Sequence, residues 1–256
     1  MKKQLIILFY LLILSTLTYS QKGIYQKKEF SYKGDTLLYR VLYPVNYDKT
    51  KSYPLVLFLH GSGERGNDNE KQLIHGSSLF CDSLNMIKYP AIVIFPQCPR
   101  NERWIILDED PSKKFSFQIT KHPTKPLELS KKLLDFYQKT EAVDSKRIYI
   151  LGLSMGGMGT FDMICRYPKE FAAAIPICGG VNVERLKKLN KMPIRIYHGA
   201  IDNVVSPDFS RNAFKKLKNR GSKVVEYIEF PGVGHNSWSP ALAETDFLSW
   251  MFSQKK

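Results

Sequence analysis

The chain predicts an α/β fold: a mostly parallel sheet with helices on both faces and antiparallel strands at its N-terminal edge. Three observations carry this. From residue 54 onward, short apolar runs alternate with helical patterns, the order that a parallel sheet with crossover helices requires. Runs such as "YPLVLFLHG" and "AIVIFPQ" are continuously apolar, as strands covered on both faces must be. The 256 residues are 43% hydrophobic and 24% charged, enough to build one large core and too apolar for a disordered chain. No internal repeat, low-complexity linker or second boundary interrupts the pattern, so residues 21–256 read as a single domain.

The elements follow in order. "EFSYKGDTLLYRVLYP" alternates apolar and polar residues about Lys33, Gly34 and Asp35 and reads as a hairpin. Tyr53 to Gly61 is a buried strand. A short helix is expected around Asn69 to His75, then the strand "AIVIFPQ". Arg100 to Lys125 mixes charges, prolines and aromatics without periodicity; a loop of this length is often functional. Leu129, Leu133, Phe136 and Tyr137 recur at helical spacing, with Pro126 suited to the first turn. "RIYILG" is a strand, and the helix after Ser154 runs to about Tyr167, where Pro168 stops it. "AAAIPIC" is a strand, Val183 to Leu189 a helix and "IRIYHG" a strand. Pro207 to Asn219 is a helix closed by Gly221. "KVVEYIEF" is a strand, and Ala241 to Met251 a last helix, with Ala243, Phe247, Trp250 and Met251 on one face.

Residues 1–20 read as a signal peptide. Lys2 and Lys3 precede the apolar run Leu5 to Leu14, and a polar stretch leads to a cut near Ser20 and Gln21. The run is short for a membrane span, which needs ~20 apolar residues. An uncleaved anchor is the alternative; otherwise the mature protein is exported, periplasmic or extracellular, without stable membrane insertion. The net charge of +14 is scattered, with no basic stripe interleaved with aromatics. It reads as a basic soluble surface and not as a nucleic-acid footprint. Of the four cysteines, Cys165 and Cys178 sit in apolar segments. One disulfide among Cys81, Cys98, Cys165 and Cys178 is compatible with export, but a disulfide-built scaffold is not. No C-x-x-C pair or histidine cluster has metal-ligand spacing.

The chemistry centres on "YILGLSMGGMGTF". Gly152 to Gly156 fits G-x-S-x-G, placing Ser154 between a buried strand and a helix. There a sharp turn exposes the hydroxyl and the helix N-terminus supplies amides. A serine needs a base. His235, in "PGVGHNSW", follows a later strand among turn residues. His60 and His198 directly precede glycines at strand ends and read as loop packing; His75 and His122 have no such context. Asp202, in "YHGAIDNVVSP", is the candidate acid, with Asp208 as its understudy and a helix cap as the competing role. The glycine-rich "HGSG" loop offers amides to a developing oxyanion: Ser62 N–H, with Met155 N–H as the second donor. Trp104 and Trp238 either line the site or pack in the core.

Five ordered motifs, "LFLHGSGERGND", "PQCPRNERW", "ILGLSMGGMGTF", "YHGAIDNVV" and "PGVGHNSW", resemble the phospholipase/carboxylesterase and dienelactone-hydrolase branch of the α/β-hydrolases. The likeness spans residues 30–252 and is closest to exported bacterial esterases related to prolyl oligopeptidase catalytic domains. It implies an eight-stranded sheet with strand 2 antiparallel, no cofactor, and a triad of nucleophile Ser154, acid Asp202 and base His235. The chain departs from the pattern in three ways. It has no room for a propeller domain, residues 21–50 are too few for an Ig-like domain, and Ser154 replaces the cysteine nucleophile of dienelactone hydrolase.

The resemblance implies a secreted serine esterase acting on a small-molecule or polysaccharide-linked ester. A serine peptidase on small peptides shares the triad, and only the leaving-group pocket separates the two. A non-catalytic glycan- or partner-binding protein would have no physical need for Ser154, Asp202, His235 and the glycine loop together. An interfacial lipase would be expected to carry an apolar lid, whereas Trp104, Phe115 and Phe117 stand among charges.

Overall fold

The computed structural model describes residues 23–107 and 116–256; residues 1–20, expected to be a signal peptide cut near Ser20, and Phe115 lie outside them. The sheet has eight strands: β1 (Gln26–Tyr32), β2 (Asp35–Leu42), β3 (Tyr53–Leu59), β4 (Ile92–Pro96), β5 (Val143–Leu153), β6 (Ala173–Ile177), β7 (Ile194–Gly199) and β8 (Val225–Phe230). Their spatial order is β1-β2-β4-β3-β5-β6-β7-β8. β1 and β2 pair antiparallel, as do β2 and β4, and every other pairing is parallel. The hairpin turns on Lys33 and Gly34, both at positive φ (51° and 87°), with Tyr32 opposite Asp35. Two positive-φ residues make the tight turn whose twist matches the strands it joins.

The helices are α1 (Ser77–Cys81), α2 (Ser83–Lys88), α3 (Lys125–Thr140), α4 (Met155–Arg166), α5 (Asp208–Asn219), α6 (Trp238–Leu242) and α7 (Phe247–Ser253). Side chains alternate between the faces of each strand, so the core divides in two. Leu55, Leu57, Ile94, Ile150 and Ile196 pack with Leu133 of α3, Phe161 of α4 and Leu217 of α5. Val56, Phe58, Phe95, Tyr149 and Tyr197 pack with Phe80 of α1, Ala241 of α6 and Met251 of α7. β3 is buried along its whole length, which is why its sequence shows no alternation.

Some expected elements differ. The helix expected at Asn69 to His75 is one 3₁₀ turn, Lys71–Leu73, and α1 and α2 follow it. Val183–Lys188 is also 3₁₀. The last helix is broken between α6 and α7, and Ala243 is exposed there. The break presents Asp246 to Arg195 of β7, whose Nη1 donates to its carboxylate at 2.9 Å, a tertiary contact invisible to helical periodicity. In the excursion after Arg100, Leu107 and Phe117 form an antiparallel bridge. All four cysteines are free thiols.

Candidate active site

Ser154 joins β5 to α4. Its backbone has φ 52° and ψ −117°, a region rarely occupied by residues with a side chain, costing on the order of 1–3 kcal/mol. Fixed hydrogen bonds hold it there: its N–H donates to the Ile177 carbonyl at 2.9 Å, and its carbonyl accepts from Met158 N–H at 3.0 Å. Glycine at 156 is a packing requirement. A Cβ there would collide with the Leu59 carbonyl and approach that of His60 to 2.7 Å. The end of β3 therefore lies directly against the start of α4, with Ser62 three residues further on and exposed.

The three residues expected to act together are in contact. His235 Nε2 lies 2.9 Å from Ser154 Oγ, and His235 Nδ1 lies 2.7 Å from Asp202 Oδ2. The carboxylate fixes the proton on Nδ1, leaving Nε2 free to accept from the serine hydroxyl. Asp202 Oδ1 accepts from the amides of Val204 (2.8 Å) and Val205 (3.0 Å). Burial pushes the Asp202 carboxyl up, but the His235 bond and these two amides outweigh it and hold it below the ordinary range. Asp202 is buried, whereas Asp208 is exposed on α5 and pairs with Arg211 at 2.8 Å. Gly199, at the end of β7, lets the His235 loop approach: a Cβ there would collide with the carbonyls of Val233 and Gly234. Ile201 N–H then donates to Val233 at 3.1 Å, lacing the two loops together. All these positions lie at carboxyl ends of parallel strands, where open α/β sheets bind ligands.

The two tryptophans differ. Trp104 does not line the site. It is fully buried in the core, and its indole N–H donates to the His60 carbonyl at 2.9 Å. Thr124 Oγ1 also holds its carbonyl, at 3.0 Å. Trp104 braces the loop from below. Trp238 is half-buried beside the site, its ring 5.5 Å from that of His235 and 5.2 Å from that of His75.

His198, expected to serve loop packing, reaches the candidate triad. Its Nε2 donates to the Val205 carbonyl at 2.9 Å and lies 3.2 Å from Asp202 Oδ2. Its Nδ1 accepts from Ser210 Oγ at 2.7 Å. Burial pushes its pKa down and favours the neutral ring. The signal was present in the sequence, since His198 stands four residues before Asp202. The glycine that follows it masks this signal, since a histidine before a strand-end glycine reads as loop packing. His60 has a similar design: Nδ1 donates to the Gly61 carbonyl at 2.6 Å and Nε2 accepts Cys98 N–H at 2.9 Å. Burial lowers its pKa to about 4.

Among the described residues, Cys178, Asp202 and His235 bring three potential metal donors within 4.8 Å. Burial raises the Cys178 thiol to about 12, so it keeps its proton and is a poor ligand. The histidine and aspartate are already bonded to each other. The chemistry available here is proton transfer from a hydroxyl to an imidazole.

The sequence profile of the phospholipase/carboxylesterase family matches residues 43–250. The chain belongs to this family. Its fold is that of the α/β-hydrolases. A thermostable esterase of known structure superposes with a TM-score of 0.84 and 35% identity, over 92% of this chain and 64% of that one. An uncharacterized secreted protein of Arthroderma benhamiae is 24% identical over 91% of this chain. A bifunctional acetylxylan esterase/xylanase of Neocallimastix patriciarum is 34% identical over 32% of it. The chain spans 27% and 12% of the length of these two relatives. No helix among the described residues is long and apolar enough to cross a membrane.

Proposed function

We propose that this protein is an exported serine hydrolase that cleaves carboxylic esters through an acyl-enzyme on Ser154. The observation that carries the reading is the continuous hydrogen-bonded chain from Ser154 Oγ through His235 to Asp202. Ser154 Oγ attacks the ester carbonyl carbon while His235 Nε2 takes its proton. The negative charge gathers on the carbonyl oxygen, facing the amides of Ser62 and Met155. As the carbon–oxygen bond to the leaving group breaks, His235 returns the proton to the departing alcohol. Water then repeats the sequence, releasing the acid and restoring Ser154. Asp202 keeps His235 in the productive tautomer and stabilises the imidazolium as it forms. Trp238 borders the acyl or alcohol side.

In this reading residues 1–20 are removed as a signal peptide near Ser20, and residues 21–256 form one exported domain. Two considerations support export and a substrate attached to polysaccharide: one relative is described as secreted, and another acts on acetylxylan. The test is a panel of p-nitrophenyl acetate, butyrate and long-chain esters, a feruloyl ester and a peptide p-nitroanilide. Short esters are expected to turn over and the anilide not to. Ser154→Ala is expected to remove nearly all turnover, on the order of 10⁶-fold. Turnover of the anilide above the esters contradicts the ester reading. A Ser154→Ala variant with more than a small residual rate contradicts the nucleophile.

A further inference from the structure

A groove of about 460 Å³ lies between the chain that follows β6 and helix α5. Phe117, Val181 and Phe209 form its apolar part, and Asn212, Lys215 and Asn219 its polar wall. The rings of Phe117 and Phe209 meet edge to face at 5.0 Å. Along α5, Phe209 to Asn219 spans about 15 Å at the helical rise. The link from the groove to the candidate triad runs through α5. Phe209 precedes Ser210, whose hydroxyl bonds His198, which in turn lies against Asp202.

Among the described residues the charge here is mainly positive. Lys215 has no carboxylate within ion-pair distance among them, and Lys187 and Lys188 of the Val183–Lys188 turn, Lys218 of α5 and Arg220 just beyond it are exposed. The acids on these two elements are Glu184, paired with Lys216 at 2.6 Å, and Asp208, paired with Arg211 at 2.8 Å. Lys216 holds the Glu184 carboxyl below its ordinary range, and Lys187 and Arg220 act in the same direction. The amides of Asn212 and Asn219 have no protein partner among the described residues.

We propose that this groove is a subsite for uronate-bearing sugars of the polysaccharide that carries the ester. Charge complementarity selects the occupant: carboxylates on the sugars face Lys215 and its neighbours. The asparagine amides suit hydroxyl groups, which donate and accept. Half-buried phenylalanine rings suit the apolar faces of pyranose rings. A nucleic acid would call for a basic stripe interleaved with aromatics, which the sequence lacks. The proposal rests on the ester-hydrolase reading, but its test requires no turnover.

Calorimetric titration of the full protein uses oligogalacturonate as the acidic probe and xylo-oligosaccharide of equal length as the neutral one. The acidic probe is expected to bind roughly tenfold more tightly. Lys215→Glu is expected to weaken it about fivefold, the scale of one surface charge contact, and salt is expected to weaken it further. Thermal unfolding of Lys215→Glu checks that the variant is folded; Lys215→Gln replaces it otherwise. Equal or undetectable binding of the two probes overturns the groove, as does indifference to Lys215 substitution. Tighter binding of a DNA oligonucleotide or of anionic vesicles overturns the glycan assignment. If p-nitrophenyl acetate is hydrolysed and oligogalacturonate does not bind, the groove fails and the hydrolase reading stands. If oligogalacturonate binds and no ester is hydrolysed, the hydrolase reading fails instead.

Discussion

Asp202 answers to two imidazoles. His235 approaches its Oδ2 at 2.7 Å and His198 at 3.2 Å. In the proposed mechanism His198 is a positioning residue: its ring, fixed by the Val205 carbonyl and Ser210, packs against Asp202 Oδ2. His198→Phe removes this anchor and is therefore expected to lower kcat about tenfold with little change in KM. His198→Gln, which keeps an N–H donor, is expected to restore much of the rate. A merely structural role would lower the urea midpoint without changing kcat of the folded protein, so kcat measured beside that midpoint decides.

At the scale of elements, the site depends on how closely loops can approach one another. Gly199 has no room for a Cβ against Val233 and Gly234. Gly199→Ala is expected to push the His235 loop away from β7. A displacement of about 1 Å at a catalytic group can cost on the order of 10²-fold in kcat, and overpacking costs about 1–3 kcal/mol. Steady-state kinetics with the urea midpoint of the same variant checks both. The sequence made Ser154, Asp202 and His235 legible because each follows an apolar run ending in turn residues. Strand order and the hairpin were legible for the same reason, since period-two and continuous apolar patterns are local. The break between α6 and α7 was not, because it answers to Arg195 on a distant strand. Nor was the fate of Trp104: an aromatic in an aperiodic segment reads the same whether it lines a cleft or braces His60 from beneath.

At the scale of the whole molecule, buried neutral histidines set the response to acid. His60 has a pKa of about 4 in the folded chain, against an ordinary value of about 6.5. Between those values the unfolded chain holds a proton that the folded chain refuses, so stability falls as pH falls through that window. From pH 7 to 5 the loss from His60 alone is about 2 kcal/mol, and the lowered pKa of His198 acts in the same sense. The Asp202 contribution is present above the unfolded carboxyl range and is lost only at lower pH, as the folded carboxyl is protonated. Urea denaturation at pH 7 and pH 5 is expected to show this fall, and His60→Gln to flatten it. The central claim is that the whole sheet serves to hold one serine in a strained turn as a nucleophile. Its most direct test is to quench the protein during turnover of p-nitrophenyl acetate, or after treatment with a fluorophosphonate, and to map the modified peptide by mass spectrometry. One acyl or phosphonyl group is expected on Ser154, with matching loss of activity, and none in Ser154→Ala. Ester turnover that persists with Ser154 unmodified, or a label found on Cys178 instead, would contradict it.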